Sequence, residues 1–164
     1  MTKDDRIEFE NSKLVSIDNL GHDKEIFSQS KEMIKSLDKY NYSYLWSWLG
    51  LPIIQWPADI MATQEVLWQV KPDVVIETGV ARGGSVVFIA SILKMMGKGK
   101  VVGVDIDIRS HNREAIMSHP MANLIKLIEG PSTSEDVLQR VSTEIKKTDV
   151  VMVILDSDHS YEHV

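Results

Sequence analysis

Four short runs of apolar residues recur in the second part of the chain, and each ends in polar or glycine residues. The runs cover 74–76, 101–104, 125–128 and 150–155. Helical patterns lie between them, over 86–93 and 134–147. Three of them hold only apolar residues and glycine, and Lys126 interrupts the run 125–128. Such runs are typical of parallel strands buried on both faces. Their alternation with helices predicts an α/β domain in which a parallel sheet carries helices on both faces.

The first 56 residues read as a different region. We predict an N-terminal helical and aromatic arm over 1–56 and the α/β domain over 57–164. Apolar residues at helical spacing predict an amphipathic helix over about 24–38, with the rest of the arm loosely attached. Aromatic residues alternate with small or polar ones over 40–50, which predicts an extended segment packing its rings on the domain. A stacking platform for a substrate is the alternative.

Composition and charge exclude several classes of function. The 164 residues carry 18 Lys and Arg against 24 Asp and Glu, a net charge of −6 that disfavours nucleic acid as a partner. The absence of cysteine excludes disulfides, a cysteine nucleophile and thiolate metal sites. Any metal must therefore bind oxygen or imidazole ligands. The longest uncharged apolar run is far shorter than the ~20 residues that span a bilayer, so we expect no membrane partner and a cytoplasmic location.

The four strand ends carry the residues best suited to a binding site. In open α/β sheets, ligands bind beyond the carboxyl ends of the strands, where the strand order reverses. Each predicted end carries a carboxylate or a glycine–hydroxyl turn, although polar loops are also ordinary at strand ends. The residues concerned are Glu77 and Gly79, Asp105 and Asp107, Gly130 and Ser132, and Asp156, Asp158 and His159.

The glycine turn after the first strand favours a cofactor without phosphates. Its spacing is Gly79-x-x-x-Gly83-Gly84, which differs from the Gly-x-Gly-x-x-Gly of dinucleotide folds. The carboxylate of Glu77 would oppose a pyrophosphate and suits the cationic amino-acid end of S-adenosylmethionine. Asp105 could accept both hydroxyls of a ribose, in an NAD site as well as in this one, or could cap a loop. Ser132 could bond an adenine edge or cap the next helix.

The fourth strand end is the candidate for chemistry. Asp156 could bind a hard cation such as Mg²⁺, which lowers the pKa of a bound hydroxyl. His159 titrates near neutral pH and could remove that proton. The alternative is that Asp158 caps a helix and His159 faces solvent in its first turn. The residues alone do not separate these two interpretations.

One stretch resembles a known family. Val74 to Ser85, followed by Val104-Asp-Ile-Asp-Ile-Arg109, His111-Asn-Arg113 and His119-Pro120, is similar to the cephalosporin hydroxylase / rhamnosyl O-methyltransferase family. The resemblance runs from about residue 42 to the end. It implies a Rossmann-like class I S-adenosylmethionine-dependent methyltransferase fold and Mg²⁺-assisted O-methylation.

The resemblance also implies roles for individual residues. Glu77, Gly79 and Ala81 would line the methionine end of the cofactor, Asp105 would hold the ribose and Ser132 would lie by the adenine. Gly83, Ser85 and Ile106 are added as cofactor-binding residues because they belong to the same motifs. Asp156 would be a metal ligand and His159 the catalytic general base, in an in-line transfer of the cofactor's methyl group.

The leading functional prediction is therefore an S-adenosylmethionine-dependent, Mg²⁺-assisted O-methyltransferase acting on a hydroxyl of a small molecule or sugar. A non-catalytic S-adenosylmethionine-fold binding module is the alternative, and an NAD-dependent oxidoreductase ranks lowest because of the glycine spacing. The resemblance implies a fold of seven strands and, as in related metal-dependent sugar O-methyltransferases, a further acidic pair that completes the metal site. We therefore expect this chain to be truncated after the fourth strand and inactive by itself. Whether it forms a homo-oligomer stays open.

Overall fold

A computed structural model describes residues 4–158 and Ser160. The chain divides into two compact units, Met1–Tyr42 and Ser43–Val164. The second unit contains the whole of the sheet. No helix within the described ranges is long and apolar enough to cross a membrane.

The first unit contains two helices, α1 (Arg6–His22) and α2 (Lys24–Asp38). Asp23 separates them, and its side chain accepts hydrogen bonds from the backbone N–H groups of Glu25 and Ile26 as an N-cap of α2. Helix α2 confirms the helix predicted over about 24–38. Helix α1 lies in the segment expected to be a loose arm. Its apolar residues are spread around the helix, so the periodic pattern that reveals an amphipathic helix is missing.

The second unit begins with an antiparallel hairpin of β1 (Trp46–Trp48) and β2 (Leu51–Ile53). The ring of Trp48 packs edge-on against Phe88, with 4.8 Å between centroids. Its indole N–H donates to the hydroxyl of Ser91 over 3.0 Å. Because these rings pack on a helix of the α/β unit, the two units divide after Tyr42, whereas the sequence placed the boundary at residue 56.

After the hairpin, the elements in chain order are α3 (Pro57–Val70), β3 (Val74–Thr78), α4 (Gly84–Met96), β4 (Lys100–Asp105), α5 (Ser110–Met117), β5 (Ile125–Glu129), α6 (Glu135–Ser142) and β6 (Val151–Leu155). The parallel sheet has the strand order β5-β4-β3-β6. All three strand pairs are parallel, which confirms the predicted architecture. Helix α6 ends at Ser142, short of the predicted residue 147, and beyond it the Asp149 carboxylate accepts the N–H of Lys146 in a turn.

Apolar cores lie on both faces of the sheet. Helices α3 and α4 and the hairpin form one core with residues such as Leu67 and Phe88. Helix α6 forms the other, where Val137 and Val141 pack against β4 and β5. Strand β6 is an edge of the described sheet, and its Val153 and Leu155 are each 55% exposed. The second core therefore leaves the face of β6 uncovered.

The strand order fixes where a ligand site can form. From the central strand β3 the chain moves outward to β4 and β5, and then returns to place β6 on the other side of β3. The order reverses between β3 and β6. Open α/β sheets bind ligands at this point, beyond the carboxyl ends of the strands. Thr78 and Leu155 are the last residues of these two strands.

Candidate functional site

The glycine turn after β3 lies against the residues that follow β6. Gly79 has φ +96°, and a Cβ atom placed on it would lie 2.0 Å from the carbonyl oxygen of Asp156. Gly83, with φ +87°, is the N-cap of α4. A side chain at Gly79 cannot fit between the two backbone segments. The turn therefore brings the ends of the two strands into contact through their main chains.

The turn is fastened from the β4 side by Asp105. One oxygen of its carboxylate, Oδ2, accepts the N–H groups of Val80 at 2.8 Å and of Ala81 at 3.0 Å. The other, Oδ1, accepts the N–H of Asp107 at 3.1 Å. An ionised carboxylate offers about four acceptor positions. Asp105 therefore shapes the turn, and with three of these positions used it has about one left for a ligand's hydroxyl group.

Two cavities meet at this turn, and both are lined by Gly79, Ala81 and Asp156. The larger has a volume of about 510 Å³ and extends along the ends of β4 and β5. The smaller, of about 130 Å³, lies against the start of α4 and the segment after β2. Of the predicted site residues, Asp105, Ile106 and Ser132 line the larger cavity only, and Gly83 and Ser85 line the smaller. The structure thus brings together eight of the ten predicted residues, the exceptions being Glu77 and His159.

Glu77 lies beneath the turn, and the described walls of the two cavities do not include it. Its side chain is fully buried, and the hydroxyl of Ser85 donates to its Oε2 over 3.0 Å. Its Oε1 has no hydrogen-bond partner in the described part of the chain. Burial raises the pKa of Glu77 to about 8, Ser85 opposes the rise, and the charge of Asp156 adds to it. Glu77 is therefore mostly uncharged at pH 7, and its role in cofactor binding stays a prediction.

Gln55 is a site residue for which the sequence predicted no role, although the stretch 55–57 resembles the family. It lies between β2 and α3 and lines the smaller cavity. Its side-chain carbonyl oxygen is buried without a hydrogen-bond partner among the described residues. A buried acceptor of this kind costs free energy unless something supplies a donor. A lone glutamine in a linker carries no periodic signal, so only the fold could reveal its position.

The residues predicted to bind the metal and to act as general base lie in the segment after β6. Asp156 donates its backbone N–H to the carbonyl of Thr78 over 2.9 Å, which holds it where the two cavities join. Asp158 lines the larger cavity, and its Oδ1 accepts the N–H of Ser160. Over residues 4–158 and 160, no group of three or more acidic or histidine side chains is arranged to hold a metal ion. His159 lies outside the described residues, so its catalytic role stays a prediction.

Residues after β4 that carried the family resemblance form hydrogen bonds and an ion pair between the α5 region and neighbouring segments. Asn112 donates its side-chain amide to the carbonyl of Ala81 over 2.9 Å. Arg113 forms an ion pair of 2.5 Å with Glu129 at the end of β5. The ring Nε2 of His119 lies 3.1 Å from the carbonyl oxygen of Leu49 in the hairpin turn. The block thus links the glycine turn, a third strand end and the hairpin.

A parallel sheet with a glycine turn, an acidic residue ending the next strand and a cavity at the switch point defines a Rossmann-like α/β domain. Within that class, the family model for rhamnosyl O-methyltransferase/CmcI matches residues 40–164. The chain therefore belongs to the rhamnosyl O-methyltransferase/CmcI family.

Curated relatives and solved structures agree with this assignment. The chain is 28% identical over 145 residues to a rhamnosyl O-methyltransferase of Mycobacterium leprae, and 29% identical over 143 residues to one of Mycobacterium tuberculosis. These matches cover 85% and 84% of the chain but only 61% and 57% of the relatives. An apo structure of CmcI matches with a TM-score of 0.53 at 22% identity, covering 73% of this chain and 48% of that one. A CmcI structure with Mg-SAM matches with a TM-score of 0.50, covering 72% and 47%. Identities at this level show the fold.

Proposed function

We propose that this chain is the cofactor-binding part of an S-adenosylmethionine-dependent, Mg²⁺-assisted O-methyltransferase that acts on a hydroxyl of a small molecule or sugar. The observation that carries the proposal is the pair of cavities joined at Gly79. One has room for a nucleoside and carries a carboxylate, and the other is smaller and carries an unsatisfied acceptor. This pairing suits a ligand with a nucleoside at one end and an amino acid at the other.

The larger cavity would take the adenosine portion. Asp105, already oriented by the turn, accepts three backbone N–H groups and has about one acceptor position left for a ribose hydroxyl. Ile106 is 72% exposed at this cavity and offers an apolar surface to the adenine ring. Ser132, on the far wall, would lie by the adenine edge.

The smaller cavity would take the amino-acid end. The side-chain carbonyl of Gln55 would accept a hydrogen bond from the ammonium group. The carboxylate would lie at the start of α4, where first-turn N–H groups and the helix dipole favour an anion. Gly83 caps this 13-residue helix without a side-chain hydrogen bond, so no protein side chain competes as the cap.

Catalytic roles fall to the residues after β6. Bound S-adenosylmethionine supplies an electrophilic methyl group, and a bound Mg²⁺ would lower the pKa of a substrate hydroxyl. Protein sites hold Mg²⁺ through one or two carboxylates together with water, and Asp156 and Asp158 offer two such groups beside the larger cavity. His159 would accept the hydroxyl proton, as its ordinary titration range allows. The names of the mycobacterial relatives support a sugar acceptor.

The first test of this proposal is ligand binding by the chain itself. Titration calorimetry with S-adenosylhomocysteine should show saturable binding with a 1:1 stoichiometry, because both halves of that molecule have a cavity. The same titration with NAD should show none, since the glycine turn lacks the dinucleotide spacing. Binding of NAD without S-adenosylhomocysteine would overturn the assignment.

A second test concerns Gln55. Gln55→Leu should weaken S-adenosylhomocysteine binding by roughly 10- to 100-fold, because a hydrogen bond to a charged group contributes about 1.5–3 kcal/mol. The same change should leave the ligand-free protein equally or more stable, because it removes a buried carbonyl that lacks a partner. Thermal unfolding alongside calorimetry measures both. Gln69→Leu, at an exposed position of α3, is the matched control. Unchanged affinity in Gln55→Leu would remove Gln55 from the site.

A further inference from the structure

Side chains from the β4–α5 segment hold both the N–H and the carbonyl group of Ala81, which belong to the two peptide groups that flank its Cα atom. Its N–H donates to Oδ2 of Asp105 over 3.0 Å. Its carbonyl accepts from the side-chain amide of Asn112, in the first turn of α5, over 2.9 Å. Residues from one segment thus fix the orientation of a single residue in the glycine turn.

Ala81 needs such support because of its backbone conformation. Its φ is +45°, in the left-handed region that is strained for a residue with a Cβ atom. This strain and one net hydrogen bond are of similar size, so the Asn112 bond offsets much of it. Without it, the Asp105 bonds and the bond from the N–H of Gly83 to the carbonyl of Val80, 2.8 Å long, would remain to hold the turn.

The position of Ala81 matters because it forms part of both cavity walls. A change in the φ angle of Ala81 would move its N–H relative to its carbonyl and so disturb the hydrogen bonds through which Asp105 is oriented. We infer that Asn112 is a positioning residue of the cofactor site: it holds Ala81 in the left-handed conformation in which the turn and Asp105 fit the cofactor. This inference rests on the proposed function for its ligand, but its geometry is that of the ligand-free chain.

The decisive experiment is a double-mutant cycle between Asn112 and Ala81. Asn112→Ala should weaken S-adenosylhomocysteine binding about five- to tenfold, the equivalent of roughly one hydrogen bond. Glycine adopts positive φ without steric cost, so in an Ala81→Gly background the same Asn112→Ala change should cost less than twofold. Asn123→Ala removes an exposed asparagine elsewhere in the unit and should leave binding unchanged. An equal loss in both backgrounds would mean that Asn112 acts through general stability, and the inference would be overturned.

A ligand-free measurement separates this inference from the proposed function. Amide hydrogen exchange of Val80 and Ala81 should accelerate several-fold in Asn112→Ala, while that of Ile89 within α4 stays as in the unmodified chain. If the chain fails to bind S-adenosylhomocysteine, the proposed function falls and the exchange rates still test whether Asn112 holds the turn. Unchanged exchange at Val80 and Ala81 would overturn the inference whatever the ligand result.

Discussion

Gly79→Ala is expected to be among the most damaging single substitutions in the α/β unit. The new Cβ atom would lie 2.0 Å from the carbonyl oxygen and 2.7 Å from the carbonyl carbon of Asp156, so one strand end must move. Forced backbone shifts cost about 1–3 kcal/mol, and the positive φ adds about 1–2 kcal/mol. We expect a loss of about 2–5 kcal/mol in the free energy of unfolding, measured by chemical denaturation.

Gly50→Ala is the matched control for this prediction. Gly50 also has a positive φ, +92°, but a Cβ atom there would meet nothing within 4 Å. It should therefore lose only the conformational part, about 1–2 kcal/mol. The difference between the two variants isolates the contact between the glycine turn and the β6 end. Equal losses would mean that these segments are not held together in solution. Where Gly79→Ala remains folded, S-adenosylhomocysteine binding should be lost because both cavities are lined by Gly79 and Asp156.

The sequence predicts the sheet well because each strand is visible as a pattern within a few consecutive residues. Strands of a parallel sheet read as short, mostly apolar runs, and all four strands were found where the runs lie. The glycine spacing likewise located the turn at the switch point. The sequence did not predict helix α1 or the unit boundary at Tyr42, because neither has a local sequence pattern. The first lacks an apolar face, and the second depends on Trp48 meeting Phe88, forty residues further along the chain.

The sequence predicted which strand ends form the candidate site, but it could not predict the contacts that the site residues make. Asp105 was predicted as a ribose ligand, but its bonds to the glycine turn depend on how β3 and β4 pair. Glu77 was predicted to line the cofactor, but its depth beneath Ser85 follows from the close packing of α4. Gln55 and Asn112 lie in stretches that resemble the family, but no role could be predicted for either, since a single amide side chain becomes informative only when its neighbours are known.

The second large expected effect concerns the pH dependence of stability. The pKa of Glu77 is about 8 in the folded chain, against 4.5 for an ordinary glutamate. Between these values the unfolded chain loses its proton while the folded chain keeps it, so the free energy of unfolding falls as pH rises. The slope is about 1.4 kcal/mol per pH unit. The stabilisation is fully present below pH 4.5 and is lost by about pH 8, a total of a few kcal/mol.

Glu77→Gln should remove this contribution. Glutamine stays neutral at every pH and retains an oxygen that can accept the hydrogen bond from Ser85. Relative to the unmodified chain, the variant should therefore gain stability progressively from pH 5 to pH 8.5, by a few kcal/mol at the upper end. Urea denaturation at half-unit intervals of pH would measure the difference between the two curves. Groups common to both proteins, including the histidines, cancel in that difference.

Two other carboxylates with shifted pKa values titrate outside the range from pH 5 to pH 8.5. Hydrogen bonds from Lys98 and Lys100 lower the pKa values of Asp73 and Glu144, which therefore titrate below pH 4.5. Burial is the main cause of the raised pKa of Glu77, and the negative charge of Asp156 adds to it. Glu114→Gln makes the same charge change at an exposed position and should leave the curve parallel to that of the unmodified chain. A Glu77→Gln curve that also ran parallel would mean that Glu77 is ionised in the folded protein, and hence that water or a cation reaches its Oε1.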